Sequence, residues 1–223
     1  MSEQQILTET ADGIATITLN RPEALNALSH EMGRQLVAAT AAFERDPAVR
    51  CVVIRAAGDN FMAGGDVKGF YKSLTENRAA HLAAMELNVV NVHQLFAQLR
   101  RMPKPVLVSV QGAAAGIGLS LVLAADLAVG ADDAFFTLAY RHIGLSGDGG
   151  ATYFLPRIVG ERKALELALL GDRFTAQQAL ELGILNWVVP RAQLAEETAK
   201  IARRLADGPT VALGIAKRLI RSS

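Results

Sequence analysis

Residues 105–125, PVLVSVQGAAAGIGLSLVLAA, form an uncharged segment that decides the fold. A valine-rich run is followed by three glycines, at positions 112, 116 and 118, and then by a second apolar run. The segment is long enough to span a bilayer, but the glycines and the polar residues Ser109, Gln111 and Ser120 interrupt it. The pattern favours a buried strand over 106–110, a turn over 112–118 and a buried helix beginning near 119.

Strands and helices alternate on both sides of this segment. Short apolar runs of the same kind are typical of parallel strands buried on both faces. The predicted strands cover residues 14–19, 49–56, 106–110, 127–130 and 185–189. The predicted helices cover residues 29–45, 77–101, 119–124, 160–171, 175–183, 191–207 and 209–221. The alternation predicts an α/β fold with a parallel sheet, in which an α/β core over 1–160 precedes a helical region over 161–223.

The composition excludes several classes of protein. The chain has 223 residues, with 23 Lys and Arg against 22 Asp and Glu, so it lacks the basic field of a nucleic-acid-binding protein. Its one cysteine, Cys51, lies in an apolar run, which fits a reducing, cytoplasmic setting. No signal peptide is expected from the N-terminal sequence. The four histidines lack ligand spacing, so we expect no metal site.

Two glycine-rich turns follow strands of the predicted parallel sheet, FMAGGD at 61–66 and GAAAGIG at 112–118. The carboxyl ends of parallel strands meet at one edge of the sheet, so both turns should lie there. Free N–H groups from two such turns can together bind one developing oxyanion. The alternative is that the glycines only permit tight turns, and the spacing alone does not decide between the two.

Asp148 lies in a third glycine-rich stretch, GLSGDGG at 144–150. A carboxylate at this position could move a proton, and an apolar setting would be needed for it to act as an acid. Aspartate is also a good N-cap, so Asp148 could simply begin the helix predicted near residue 149.

Four motifs together resemble the enoyl-CoA hydratase/isomerase (crotonase) superfamily. They are NRPEALNAL at 20–28, the two turns at 61–66 and 112–118, and the Asp148 stretch that continues into YFLPR at 153–157. Their order and spacing cover nearly the whole chain. The resemblance implies a crotonase-like spiral of ββα units, a substrate that is an acyl-coenzyme A thioester, and no separate cofactor. It also implies a homotrimer or a dimer of trimers.

The resemblance assigns roles to individual residues. The oxyanion would be held by the backbone N–H groups of Gly65 and Ile117, although glycine is common where Ile117 stands. Contacts to the substrate and its CoA moiety, largely through backbone atoms, map onto Ala24, Leu25, Ala63, Gly64, Asp66 and Gly116. The C-terminal region is shorter than is usual in the family, where it contributes to the acyl pocket and to assembly.

Departures from the family pattern bear on the reaction. Ser120 and Tyr140 stand where family hydratases carry two glutamates, whereas Asp148 stands where certain isomerases place an aspartate. We therefore expect an enoyl-CoA isomerase in which Asp148 moves the proton. The alternatives are hydration, thioester hydrolysis, dehalogenase-like chemistry with Asp148 as nucleophile, and a non-catalytic CoA-binding subunit.

His93 stands where the dehalogenases have a histidine base, but a histidine of the core or of the pocket wall is also compatible with its apolar neighbours.

Overall fold

Nine strands and nine α-helices make up residues 4–222, the part of the chain that this computed structural model describes. The strands are β1 (Ile6–Ala11), β2 (Ile14–Leu19), β3 (Cys51–Ala56), β4 (Val106–Val110), β5 (Ala113–Ala115), β6 (Leu127–Ala131), β7 (Phe135–Thr137), β8 (Phe174–Thr175) and β9 (Trp187–Val189). The helices are α1 (His30–Arg45), α2 (Val67–Glu76), α3 (Arg78–Arg101), α4 (Ile117–Ala124), α5 (Ala151–Val159), α6 (Glu161–Leu170), α7 (Ala176–Glu181), α8 (Leu194–Ala206) and α9 (Thr210–Ser222).

The larger sheet has six strands in the order β1-β2-β3-β4-β6-β9. Only the β1–β2 hairpin is antiparallel, and every later neighbour pairs in parallel. All five residues of β4 are buried, as are the first four of β3. The continuous apolar runs in the sequence therefore correspond to central strands covered on both faces, as predicted.

A second, smaller sheet follows the order β5-β7-β8. Two isolated parallel bridges, Leu28 with Gly65 and Met62 with Ala114, extend its layer toward the start of the chain. The chain winds as a spiral. Each repeat of the spiral contributes one strand to the large sheet, then a short segment to the second layer, and then a helix. The predicted α/β fold and its spiral of ββα units are confirmed.

Two of the predicted helix starts are set by side-chain caps. The hydroxyl of Ser29 accepts a hydrogen bond from the N–H of Met32 at 3.1 Å, so α1 begins where the sequence places it. Thr175 forms a capping box with Gln178 at the start of α7. The strand predicted over 106–110 and the buried helix after it are also present, but the helix begins at Ile117, inside the predicted turn. No helix within residues 4–222 is long and apolar enough to cross a membrane.

The sequence patterns missed several elements. β5 and β7 have only three residues each, and β5 consists of alanines inside the predicted turn, so neither could show an alternating pattern. The hairpin strand β1 and the two-residue strand β8 were not predicted either. Helix α2 was also missed, and it lies directly between the loop at 57–66 and α3.

The segment after residue 160 packs against the same sheets as the rest. β8 pairs with β7, and β9 forms the edge of the large sheet beside β6. Lys217 and Arg221 of α9 both contact Asp126, at 2.7 and 2.6 Å, and all three side chains are largely buried. Because two cations share one carboxylate there, the last helix is held firmly against the end of α4.

Gly118 is required by a close approach between α4 and the 61–66 loop. A Cβ at this position would overlap the carbonyl oxygen of Met62. Gly118→Ala should therefore destabilise the protein by about 1–3 kcal/mol, as overpacking does. Chemical unfolding monitored by circular dichroism measures this loss.

The matched control is Gly33→Ala inside α1. A Cβ there would meet its nearest neighbour, Asn88 Oδ1, at an ordinary 3.6 Å. This variant should be neutral or more stable by up to about 1 kcal/mol, because alanine is the better helix former. Equal stabilities for the two variants would contradict the close approach at Gly118.

Candidate active site

The two glycine-rich loops meet at one edge of the large sheet. Met62 N–H donates to the carbonyl of Ala113 and Ala115 N–H donates to the carbonyl of Met62, both at 2.9 Å. Gly116 has a φ of 52°, and a Cβ there would lie 3.7 Å from the Cα of Gly64. A positive φ and a facing backbone both favour glycine. The predicted proximity of the two loops is therefore present.

Gly65 and Ile117 present backbone N–H groups that no residue within 4–222 accepts. The bridge to Leu28 uses the carbonyl of Gly64 and the N–H of Asp66, at 2.8 and 3.0 Å. Successive peptide groups of an extended segment point to opposite sides, so the N–H of Gly65 points away from Leu28. Ile117 is the first residue of α4, where N–H groups have no partner within the helix. Both donors are thus available to a ligand.

A cavity of about 320 Å³ lies against these two residues. It is bounded by the 61–66 loop, α2, α3, the start of α4 and the segment 138–148. Its lining is mainly apolar and includes Val67, Phe70, Met85, Val92 and Ile143. Gly65, Ile117 and Asp148 all line it, so the three residues predicted to be catalytic border one space.

Asp148 is held by two hydroxyl groups. The phenol of Tyr140 donates to Asp148 Oδ1 at 2.5 Å, and Ser120 Oγ donates to the carbonyl oxygen of Asp148 at 3.0 Å. Ser120 Oγ also lies 3.3 Å from the Tyr140 hydroxyl. The sequence placed Ser120 and Tyr140 at the positions of the hydratase glutamates, and the structure shows that both contact Asp148. No residue within 4–222 bonds to the second carboxylate oxygen, Oδ2.

The N-cap interpretation of Asp148 is wrong. Helix α5 begins at Ala151, its N-cap is Gly150, and no side chain caps it. Only the backbone carbonyl of Asp148 takes part, accepting from the N–H of Ala151 at 3.0 Å. The two glycines after Asp148 adopt positive φ and separate it from the helix. Asp148 is also an exposed residue.

Burial raises the pKa of the Tyr140 phenol well above its ordinary value, and the charge of Asp148 and the hydrogen bond to it act in the same direction. Each of these effects disfavours a phenolate. Tyr140 therefore remains a hydrogen-bond donor at neutral pH. The phenol therefore holds one carboxylate oxygen of Asp148 in a fixed position.

His93 lies on α3 and lines the same cavity, but its side chain is exposed. The interpretation of His93 as a core histidine is therefore wrong, and His93 lies on the wall of the cavity. The sequence analysis missed a neighbour, Asn88, which is buried on the same wall. The available signal was helical spacing, because the wall positions on α3 are Met85, Asn88, Val89, Val92 and His93.

The residues predicted to contact CoA fall into two groups. Ala63, Gly64 and Gly116 line the cavity. Ala24, Leu25 and Asp66 do not, although the carbonyl of Leu25 accepts from Ala63 N–H at 3.1 Å and so lies beside the wall. The contacts of all six with CoA stay predictions.

Asp66 has a clear structural role. Its carboxylate caps α2 by accepting from the N–H of Gly69 at 2.9 Å, and it pairs with Arg21 at 3.1 Å. Over residues 4–222, His, Cys, Asp and Glu side chains form no group of three that could hold a metal ion.

Comparisons with known proteins show the family of this chain. The sequence model of the family described as enoyl-CoA hydratase/isomerase matches residues 9–222. The 1,2-epoxyphenylacetyl-CoA isomerase of Escherichia coli (strain K12) is 38% identical, with 98% of this chain and 82% of the relative covered. The 4-chlorobenzoyl coenzyme A dehalogenase-1 of Arthrobacter sp is 34% identical, with 99% and 79% covered.

A solved structure shares the fold. The crystal structure of an enoyl-CoA hydratase from Polaromonas sp. JS666 superimposes with a TM-score of 0.89 at 34% identity, covering 97% of this chain and 83% of that one. The relatives' names thus include an isomerase, a dehalogenase and a hydratase. They agree on acyl-CoA chemistry and differ in the reaction.

The raised pKa of Tyr140 predicts a simple result in a spectrophotometric titration. The chain has three tyrosines, and tyrosine ordinarily ionises near pH 10. Because Tyr140 stays protonated there, the tyrosinate absorbance of Tyr140→Phe should superimpose on that of the unmodified protein up to about pH 11. Loss of one tyrosine's share of the signal in this range would contradict the raised pKa of Tyr140 and the burial that is its main cause.

Proposed function

The chain belongs to the enoyl-CoA hydratase/isomerase family, and we propose that it is an isomerase that shifts a double bond in an acyl-CoA thioester. The thioester carbonyl binds between the N–H groups of Gly65 and Ile117, and the acyl group occupies the apolar cavity beside them. Asp148 moves the proton.

The two backbone donors lower the cost of forming an enolate. Removal of a proton from the α-carbon places negative charge on the thioester oxygen, where both N–H groups converge. Donors of this kind are held in place before the reaction, and each is typically worth about 10²–10³ in rate. The start of α4 adds its partial positive charge on the same side.

The position of Asp148 is the observation that carries the proposal. Its carboxylate lines the cavity with Gly65 and Ile117, and Tyr140 occupies one oxygen while the other is free. The free oxygen removes a proton from the α-carbon of a 3-enoyl-CoA, which leaves a dienolate. The same oxygen returns the proton at the γ-carbon and gives the 2-enoyl-CoA.

Hydration has weaker support. In the family it depends on two glutamates that handle the water, and this chain has hydroxyl residues, Ser120 and Tyr140, at those positions. Both hydroxyls already bind Asp148. This chain therefore offers one carboxylate at the site, whereas the hydratase reaction uses two.

The proposed chemistry needs no metal ion and no redox cofactor, because CoA is part of the substrate. We also propose assembly into a homotrimer or a dimer of trimers, with the region 161–223 taking part. Exposed apolar side chains on α9, Val211, Leu219 and Ile220, support a contact with another subunit.

A second candidate function is favoured by His93. It lines the same cavity as Asp148, and a nucleophilic carboxylate with a histidine base would suit displacement of a halide from an aromatic acyl-CoA. The dehalogenase relative is named for such a substrate. Release of chloride from 4-chlorobenzoyl-CoA, lost in both Asp148→Asn and His93→Gln, would favour this candidate over the isomerase.

Asp148→Asn should reduce double-bond isomerisation by about 10²–10⁴, because the amide cannot act as a base while the phenol of Tyr140 can still bond to it. The assay follows conversion of 3-enoyl-CoA thioesters to 2-enoyl-CoA by absorbance, and mass spectrometry and NMR confirm the product.

The matched control is Asp172→Asn, at an exposed aspartate away from the cavity, which should retain full activity. Near-complete activity in Asp148→Asn would overturn the isomerase mechanism. Binding of acyl-CoA without turnover across a panel of thioesters would instead identify a non-catalytic CoA-binding subunit, and water addition to crotonyl-CoA would identify a hydratase.

A further inference from the structure

Asn88 on α3 has a polar side chain that no described residue satisfies. The residue is 8% exposed. Its Oδ1 atom is buried away from solvent and has no hydrogen-bond partner. Within residues 4–222 its amide nitrogen has no partner either. Buried amides are nearly always bonded, because leaving one unpaired costs free energy. An unpaired amide in a folded protein therefore calls for a functional explanation.

The surroundings of Asn88 offer no partner within the fold. On one side it faces Gly33 of α1, where a Cβ would lie 3.6 Å from Asn88 Oδ1, and glycine has no side chain to donate. On the other side Asn88 lines the cavity that also contacts Gly65, Ile117 and Asp148. The sealed Oδ1 therefore faces α1, and the amide nitrogen is the end of the side chain that can meet the cavity.

Gln98 is a second amide between α1 and α3, and it does not contact the cavity. It lies ten residues further along α3, is 3% exposed, and accepts a hydrogen bond from Thr40 of α1 at 2.8 Å. Gln98 is not among the residues that line the cavity. The two helices thus give the amide oxygen of Gln98 a partner and leave the amide oxygen of Asn88 without one.

We propose that Asn88 is a specificity-determining residue that hydrogen-bonds an oxygen-bearing group on the acyl chain, so that the preferred substrates are oxygenated acyl thioesters. This inference rests on the proposed function, since it takes the cavity to be the acyl site. The rest of the α3 wall agrees with a mainly apolar acyl group that carries one polar position. Met85, Val89 and Val92 are apolar, and His93 is the only other polar side chain that α3 brings to the cavity.

A hydroxyl group is the simplest partner. The amide nitrogen donates to a hydroxyl oxygen, and an amide turned the other way accepts the hydroxyl proton. A hydrocarbon acyl group offers neither bond and leaves the amide unpaired in the complex. Sites built to bond a substrate hydroxyl discriminate strongly against analogues that lack it, for this reason.

The test measures binding, so it needs no turnover. Isothermal titration calorimetry gives dissociation constants for hexanoyl-CoA and for its 3-, 4-, 5- and 6-hydroxy derivatives. In the unmodified protein, at least one hydroxy derivative should bind about tenfold more tightly than hexanoyl-CoA. In Asn88→Leu the preference should fall to within about threefold, while hexanoyl-CoA binds as tightly as before or more tightly.

Gln98→Leu is the matched control, because it replaces an amide on the same helix away from the cavity, and it should keep the preference. Asn88→Ala serves the same comparison if Asn88→Leu does not fold. Absence of any preference in the unmodified protein, or an unchanged preference in both Asn88 variants, would overturn the inference.

The outcomes also separate this inference from the proposed function. A preference that depends on Asn88, without isomerase turnover, would overturn only the isomerase proposal. Isomerase activity without any preference would overturn only the role of Asn88. Failure of every thioester to bind would overturn both.

Discussion

The contact between the 61–66 loop and the 112–118 loop is the constraint on which the site depends. Each loop follows a central strand of the large sheet, and the Met62–Ala114 bridge joins them in the second layer. The contact is possible only because the start of α4 has no side chain where it meets Met62. One backbone approach therefore positions both free N–H groups, from Gly65 and Ile117. A site built from backbone donors also tolerates variation in side chains, which explains why isoleucine is acceptable at position 117.

A second set of contacts determines how the carboxylate is presented. Tyr140 and Ser120 come from different elements, the short helical turn Tyr140–Ile143 and α4, and both hydroxyls bond to Asp148. Burial and the adjacent charge keep the Tyr140 phenol protonated, so it acts as a fixed donor. The hydroxyl residues therefore leave the site with a single carboxylate oriented toward the cavity.

Helix α3 forms one wall of the same cavity. Its residues there are mainly apolar, whereas Asn88 has a buried amide oxygen without a partner. A buried polar group without a partner lowers stability and calls for an explanation. The amide oxygen of Gln98, on the same helix, accepts a hydrogen bond from Thr40.

The sequence alone predicted the α/β spiral, the strands and turns that flank the two loops, and the three residues Gly65, Ile117 and Asp148. The fold predictions succeeded because buried strands, glycine turns and helix caps leave local patterns, and because four motifs kept their order. The roles of the three residues stay predictions. The short strands β5, β7 and β8 were beyond such patterns, since two or three residues show no periodicity. Only the tertiary structure decided between a cap and a cavity position for Asp148, paired it with Tyr140, and left Asn88 without a partner. Those outcomes depend on which distant segments come into contact, and hydrogen-bond partners far apart in the chain leave no local pattern in the sequence.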